Sequence, residues 1–221
     1  LATVPFDPSK LPVDDIAGES ALHPERLDAA WLRRRFAEPP AWAAEALDEH
    51  ITRGLTMTPA SVLIPLVRRA SGLTMLLTQR TAHLTDHPGQ ISFPGGRAED
   101  YDGSPVDTAL REAAEEIGLD RRHVEVIGCM PDYLTGTGYR VTPVVALLTP
   151  PFELQADPNE VAEIFEVPLA FLMDGMNHKR LSFDLPEGKG RRTFYAMPYE
   201  RFFIWGATAG MLRNLFHFLR A

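Results

Sequence analysis

Between Arg111 and Leu119 the chain reads Arg-Glu-Ala-Ala-Glu-Glu-Ile-Gly-Leu, so Glu112, Glu115 and Glu116 fall within little more than one helical turn. Like charges at that spacing repel. A divalent cation is the natural counter-charge, and a Mg2+ held by one or two carboxylates usually also takes substrate phosphates. The chemistry implied is a metal-assisted reaction at a phosphate. On their own, three glutamates would describe a solvated acidic helix face just as well, because charged side chains are mostly exposed.

The flanking residues favour the first reading. Ser104-Pro105 has the form of a helix start, with Ser as N-cap and Pro at the first helical position. Asp107, three residues on, approximates a capping box, and Gly118 is placed to end the helix in a left-handed turn. Val106, Ala109, Leu110, Ala113, Ala114 and Ile117 recur at helical spacing and predict one apolar stripe. Glu112 and Glu116, about 40° apart, and Glu115, about 60° from Glu112, then point outward into a cleft. Arg111 stands four residues before Glu115 and can pair with it. Just upstream, Phe93-Pro94-Gly95-Gly96 makes a sharp turn, and adjacent glycines let a backbone approach a ligand closely.

These residues resemble the Nudix hydrolase box, G-x5-E-x7-R-E-U-x-E-E-x-G-U with U a bulky apolar residue. Gly96 opens it, and Arg111, Glu112, Ala113, Glu115, Glu116, Gly118 and Leu119 close it. Two positions depart from the pattern. Gly103 stands where the first Glu belongs, with Asp102 the nearest acid, and Ala113 is smaller than usual. A second resemblance is to coenzyme A pyrophosphatases, whose signature L-L-T-x-R-[SA]-x3-R-x3-G-x3-F-P-G-G is similar to Leu76-Leu77-Thr78-Gln79-Arg80, Gly89-Gln90 and Phe93 to Gly96. Thr81 and Thr85 replace the small residue and the second Arg. Gly138-Tyr139-Arg140-Val141-Thr142-Pro143-Val144 and Ile204-Trp205-Gly206-Ala207-Thr208-Ala209 also look like that subfamily, so the likeness spans about residues 60 to 215.

The resemblance implies metal-dependent hydrolysis of the coenzyme A pyrophosphate, with Mg2+ or Mn2+, to 4′-phosphopantetheine and adenosine 3′,5′-bisphosphate. It assigns Glu112 and Glu116 to the metal. Arg111, Glu115 and Glu160 form the candidate catalytic group. Glu115 is either a further ligand or the partner of Arg111. Glu160, in the turn-like Asp157-Pro158-Asn159-Glu160, is the base or an extra ligand, with Glu163 as runner-up. Arg80, Gly95, Gly96 and Tyr139 are the substrate-binding candidates. Arg80 either grips a phosphate through two bonds or pairs with a box carboxylate. Tyr139 and Phe93 either stack on the substrate or belong to the core. His83 and His87 lack further ligands at zinc spacing and read as loop residues. Lys179-Arg180 and Lys189 to Arg192 read as solvated clusters, with contact to a 3′-phosphate as the other option. Loss of the second Arg leaves ADP-ribose or another nucleoside diphosphate derivative as an alternative substrate. The shifted first acid leaves a binding module without turnover as a third reading.

Composition bounds these choices. At 221 residues, 45% apolar and 24% charged, the chain is of ordinary globular type. A net charge of −8 argues against general nucleic-acid binding and requires an anionic substrate to be met locally. Cys129 is the only cysteine, which excludes an internal disulfide and fits a reducing, cytoplasmic setting. No apolar run is long enough to cross a bilayer as a helix. The chain opens at Leu1 rather than Met, which is compatible with a trimmed targeting segment.

The expected organisation is an N-terminal extension over residues 1–58 and a hydrolase domain over 59–221. Residues 1–20 read as an irregular arm, with short helices over 24–36 and 41–53 that serve docking on the core or a homodimer. Strands are expected at 62–67, 73–78, 90–93, 124–130, 141–148 and 163–168. A short helix over 169–173, a hairpin at 181–185 and 192–197 around Gly188 and Gly190, and a terminal helix over 206–219 complete the pattern. Strands with helices on both faces predict an α/β/α sandwich with a mixed sheet, the Nudix architecture.

Overall fold

The computed structural model describes residues 7–45, 56–83, 88–185 and 190–221. The strands are β1 (Val13–Ile16), β2 (Thr58–Arg69), β3 (Gly72–Arg80), β4 (Ile91–Ser92), β5 (Gly95–Arg97) and β6 (Val124–Cys129), then β7 (Tyr133–Leu134), β8 (Tyr139–Leu148), β9 (Val161–Pro168), β10 (Lys179–Asp184), β11 (Arg191–Tyr199) and β12 (Phe202–Trp205). The α-helices are α1 (Ala29–Ala37), α2 (Pro105–Ile117), α3 (Leu169–Leu172) and α4 (Gly206–Arg220).

The central strands are apolar on both faces, and the structure covers both. On β2, β3 and β8, Leu63, Val67, Leu76, Val144, Ala146 and Leu148 face one way and pack with Ala109, Ala113 and Ile117 of α2. The alternate residues Ile64, Leu66, Met75, Leu77, Val145 and Leu147 face the other way and pack with Leu212, Leu215, Phe216 and Leu219 of α4. This period-2 alternation is the pleat of the strands, and the result is the expected three-layer sandwich. The sheet runs β4-β3-β2-β8-β6, with β5 on β2, β7 on β8 and β9 on β3. β2 and β8 are parallel over Thr58↔Tyr139 to Val67↔Leu148, whereas β3, β5 and β6 pair antiparallel, so the sheet is mixed.

One break in this sheet positions the acids. β3 pairs with β2 only over Gly72–Met75, and beyond that the two diverge. β4 then pairs with β3 at Thr78 and Gln79, and β5 pairs with β2 at Ala60–Val62. The turn at Phe93-Pro94 that joins β4 to β5 fills the opening, with the Leu63 N–H donating to the Pro94 carbonyl at 2.8 Å.

A second sheet, β1-β10-β11-β12, packs its last two strands on α4. Its β10–β11 hairpin is the expected one, although Gly188 and Lys189 lie outside the described residues. The first strand corrects the reading of residues 1–20 as an irregular arm. Val13–Ile16 is a strand on the edge of β10, exposed throughout and therefore without the alternation that marks a half-buried strand. The helix expected over 24–36 is a 3-10 turn at Pro24–Leu27 followed by α1. Asp28 divides the two, because its carboxylate caps the Ala30 and Trp31 N–H groups at 2.7 and 3.0 Å. Residues 41–45 are not helical, and the rest of the helix expected over 41–53 lies outside the described residues. There the chain is held by tertiary contacts instead: the Glu45 N–H donates to Asn214 Oδ1 at 2.9 Å, and Trp42 lies 5.4 Å from Phe218, centroid to centroid.

The N-terminal residues are fixed to α4 by buried charge. Arg213 is 4% exposed. It donates twice to Glu19 and once to His178 Nδ1 at 3.2 Å. An arginine only donates, so Nδ1 accepts and His178 Nε2 carries the proton given to the Leu172 carbonyl at 2.7 Å. Arg26 and Arg35 donate to the Leu219 carbonyl and Arg26 also to that of Arg220, which satisfies the end of α4. Arg213→Met is expected to cost about 3 kcal/mol, the lower end of the range for a broken buried pair, since it leaves the half-buried Glu19 carboxylate and the buried His178 imidazole without their partner. Urea unfolding of the two proteins checks this. The Arg213 bonds hold the Glu19 carboxyl at about 2, below its ordinary 4.5. The contribution of this pair is therefore complete above about pH 4.5 and is lost as the pH falls toward 2.

Candidate active site

The acidic helix has the predicted ends. Ser104 Oγ accepts from the Asp107 N–H at 3.2 Å and donates to the Asp107 carboxylate at 2.8 Å. Gly118, at φ 67°, closes the C-terminus with its N–H on the Ala114 carbonyl at 3.0 Å. Ala109, Leu110, Ala113 and Ile117 are buried as expected, but Ala114 is exposed.

Glu116 corrects the expectation of an outward-pointing acid: it is only 4% exposed. It lies three residues after Ala113 and so flanks the buried stripe, where the glycine turn roofs it. The Gly95 N–H donates to Glu116 Oε2 at 3.2 Å. A Cβ on Gly95 would stand 2.4 Å from the Ser61 carbonyl oxygen, so only glycine lets β5 lie against β2 here. A Cβ on Gly96 would stand 2.5–2.6 Å from the carboxylate of Glu112. Glycine at 95 and 96 thus brings the backbone onto the two acids. Gly96→Ala is expected to displace Glu112 and lower kcat/KM by about 100-fold, the scale of an ångström misplacement. Steady-state kinetics beside an unchanged circular dichroism spectrum is the check.

Arg111 organises the rest. Nε and Nη2 each donate to Asp102 at 3.0 Å, and Nη2 also donates to the Arg97 carbonyl at 2.9 Å. Nη1 donates to Glu112 at 2.8 Å and to Glu115 at 2.9 Å. A guanidinium has five donors, and all five end on protein oxygens. Arg111 therefore positions carboxylates. Asp102, one residue off the motif spacing, accepts the two-pronged bond and further bonds from Thr108 Oγ1 and the Glu99 N–H, each at 2.9 Å. The Arg111 bonds hold the Asp102 carboxyl well below the usual range and raise the Arg111 guanidinium. Glu115 is 58% exposed and pairs with Arg111 at 2.9 Å.

Burial pushes the Glu116 carboxyl up to about 8, and the negative charges of Glu160 and Glu112 add to it. The Gly95 N–H and the Arg80 charge pull it down. Burial also raises the Glu112 carboxyl, against its bond from Arg111, with Glu115 and Glu160 adding to the rise. Glu160 thus adds negative charge to the surroundings of both acids, from an exposed turn tied down by its own N–H on the Asp157 carbonyl at 3.1 Å and by the Thr81 N–H on its carbonyl at 2.9 Å. The charge of Arg80 acts on Glu116, and among the described residues its buried Nε has no hydrogen-bond partner.

The remaining candidates separate. Glu163 is ion-paired with Arg201. Phe93 is a core residue at 2% exposure. Tyr139 gives its hydroxyl oxygen to Arg97. His83 lies 3.5 Å from Thr81 Oγ1, while His87 and Thr85 fall outside the described residues. Arg180 and Arg191 pair with Asp15 and Asp14 of β1. Two features lie beyond the motifs: the bond between Arg97 and Tyr139, residues 42 positions apart in the chain, and Tyr101, 74% exposed with Arg111 5.7 Å from its ring centroid. An arginine directly after the glycine pair was the available signal for the first.

Among the described residues no three acidic, histidine or cysteine side chains converge into a preformed metal cage. Mg2+ does not need one, because it keeps several waters and takes one or two carboxylates plus substrate phosphates. The Glu116 carboxylate meets one N–H and otherwise negative charge, with Arg80 as its nearby cation. An under-satisfied, all-oxygen donor pair suits a hard cation.

Fold and site together define a hydrolase of the Nudix class. The chain belongs to the Nudix hydrolase family: residues 57–184 match the model of the NUDIX domain. The Escherichia coli (strain K12 / DH10B) protein described as the uncharacterized Nudix hydrolase NudL is 44% identical over 156 residues, which is 71% of this chain and 80% of the relative. The protein of the same description from Shigella boydii serotype 18 matches at the same identity and coverage. Among solved structures, a Caenorhabditis elegans Ap4A hydrolase binary complex aligns at TM-score 0.44 and 20% identity over 50% of this chain and 80% of that chain. The chain is a pyrophosphohydrolase of this family, whose members generally use divalent metal ions. Among the described residues no helix is long and apolar enough to cross a membrane.

Proposed function

We propose that the protein, through the domain at 59–221, hydrolyses the pyrophosphate bond of coenzyme A or its derivatives with Mg2+ or Mn2+. The observation that carries the chemistry is the pair of carboxylates under the glycine turn, Glu116 buried and Glu112 against Gly96, with the charge of Glu160 acting on both. Glu112 and Glu116 would hold the metal, which when bound neutralises diphosphate charge and lowers the pKa of water. Arg80 supplies a phosphate contact, the Gly95-Gly96 backbone lets the diphosphate approach, and Arg111 with Glu115 holds the acids in register. Glu160 takes the proton from the attacking water. That water adds in line to one phosphorus as the bridging P–O bond breaks, giving 4′-phosphopantetheine and adenosine 3′,5′-bisphosphate.

The choice of coenzyme A rests on the residues Leu76 to Arg80, Phe93 to Gly96 and Gly138 to Val144. Thr85, in place of the signature's second Arg, favours ADP-ribose or another nucleoside diphosphate derivative as the second reading. A panel of coenzyme A, its acyl and oxidised forms and ADP-ribose, each with Mg2+, Mn2+ or EDTA, separates the two. Coenzyme A is expected to have the highest kcat/KM, and equal or faster turnover of ADP-ribose contradicts that. The panel also tests for a binding module, which would show tight binding without product.

A further inference from the structure

Ser61 of β2 is 2% exposed, yet among the described residues its hydroxyl has no hydrogen-bond partner. Buried polar side chains are ordinarily bonded, and an exception points to a partner that the chain itself does not supply. The direction of the side chain follows from the pleat, in which residues two apart share a face. Leu63 and Val67, two and six residues on, pack with α2, whereas Ala60 and Val62 belong to the opposite layer with α4. Ser61 therefore points to the α2 side, and register says what it meets there. It lies directly opposite Gly96 in the antiparallel pair of β2 and β5. Residues so paired point to the same face, with Cβ positions about 4.5–5.5 Å apart. The Cβ position of Gly96 is the one that stands 2.5–2.6 Å from the Glu112 carboxylate. The Ser61 hydroxyl does not bond Glu112 directly, and a separation of about 5 Å is one that a single water bridges. Glu112 Oε1 accepts from Arg111 at 2.8 Å, while among the described residues Oε2 accepts no hydrogen bond. The next hydroxyl in the row, that of Thr142 on β8, is by contrast given to Asp132 at 2.7 Å.

We infer that Ser61 is a positioning residue for the divalent cation: its oxygen accepts a hydrogen bond from a water of the ion's hydration shell beside Glu112. Mg2+ keeps several waters when one or two carboxylates hold it. A water on a cation turns its lone pairs to the metal and its hydrogens outward, so it needs acceptors. A serine oxygen accepts without adding charge, which suits a site already crowded with carboxylates. The inference rests on Glu112 and Glu116 holding the cation, whichever diphosphate is cleaved.

Calorimetry of Mn2+ binding to the full chain, without substrate, tests this on wild type, Glu116→Gln, Ser61→Ala and Ser61→Cys. Wild-type binding that Glu116→Gln weakens establishes the metal reading by itself, so that reading and this one fail separately. Ser61→Ala is expected to raise the Mn2+ Kd about 10-fold, the scale of a lost contact behind a metal's first shell. Ser61→Cys, whose sulfur is a weak acceptor, should lie close to Ser61→Ala. In steady-state kinetics the Mn2+ concentration for half-maximal rate should rise by a like factor, with kcat at saturating Mn2+ little changed. Coenzyme A is the substrate there if the wild type turns it over, and ADP-ribose otherwise. Melting in EDTA separates this role from packing. Removing a hydroxyl bonded within the fold strands its partner and destabilises the protein. Ser61 has no such partner among the described residues, so Ser61→Ala should melt in EDTA no earlier than wild type and lose part of the rise that Mn2+ gives. Should it melt early, Ser61→Cys, which keeps the volume, is judged by the same Kd. A Kd within about twofold of wild type in both Ser61 variants, well short of that scale, overturns this inference alone. A wild type that binds no Mn2+, or binds it no better than Glu116→Gln, overturns it together with the metal reading.

Discussion

Replacing Glu116 by Gln is expected to lower kcat by about 1,000-fold and at the same time raise the thermal stability of the metal-free protein. The two effects have one cause. Burial and the charges of Glu160 and Glu112 push the Glu116 carboxyl to about 8 from its ordinary 4.5, so the fold carries this carboxylate at a cost. The direction with pH follows. Below about pH 4.5 the group is protonated in both folded and unfolded chains and the penalty is absent. As the pH rises from 4.5 to 8 the unfolded chain ionises freely and the folded one resists, so metal-free stability falls. Above about pH 8 the loss is complete, on the order of a few kcal/mol at about 1.4 kcal/mol per pKa unit. Gln keeps the Gly95 contact and removes that slope. The activity falls because a bound metal contributes several kcal/mol of charge stabilisation in the transition state. Melting in EDTA between pH 5 and 9, with and without added Mn2+, checks both halves. Wild type should lose stability with rising pH in EDTA and recover it with Mn2+, and Glu116→Gln should show only the smaller slope that the raised Glu112 carboxyl leaves, with a smaller recovery.

The second large effect is expected at Arg111. Its five bonds hold Asp102, Glu112, Glu115 and the Arg97 carbonyl in one arrangement. Arg111→Gln is expected to lower kcat/KM by about 100-fold through displaced carboxylates. Arg111→Lys should not rescue it, because an ammonium has three donors on a flexible stem and cannot make the fork with Asp102. Kinetics on both variants, with melting temperatures as the control for folding, check this. If Lys restores wild-type rates, charge alone suffices and the geometric role is wrong.

How much of this was legible follows from how local each signal is. The ends of α2 are written within a few residues of themselves, in Ser104, Asp107 and Gly118, and appear where expected. The central strands show through runs such as Val62–Val67, whose apolar residues alternate between two cores. Val13–Ile16 was invisible because a strand exposed along its whole length has no pattern to read. Residues 41–45 were misread as helix because their conformation is set by Asn214 and Phe218, far away in sequence. At the site, residue types were legible and environments were not. The roof over Glu116 comes from a turn 21 residues upstream. The acid that completes the Arg111 clamp sits at Asp102, off the motif spacing, and only the folded loop shows that it reaches. The Arg97–Tyr139 bond depends on the register of β5 and β8 on either side of β2, which no local pattern encodes.

Diffraction from crystals of the protein grown with Mn2+ and a non-hydrolysable diphosphate analogue tests the central claim most directly. The expected result is anomalous density within about 2.2 Å of carboxylate oxygens of both Glu112 and Glu116, bridged to the analogue. Density elsewhere, with those two carboxylates unliganded while the analogue is bound, would contradict it.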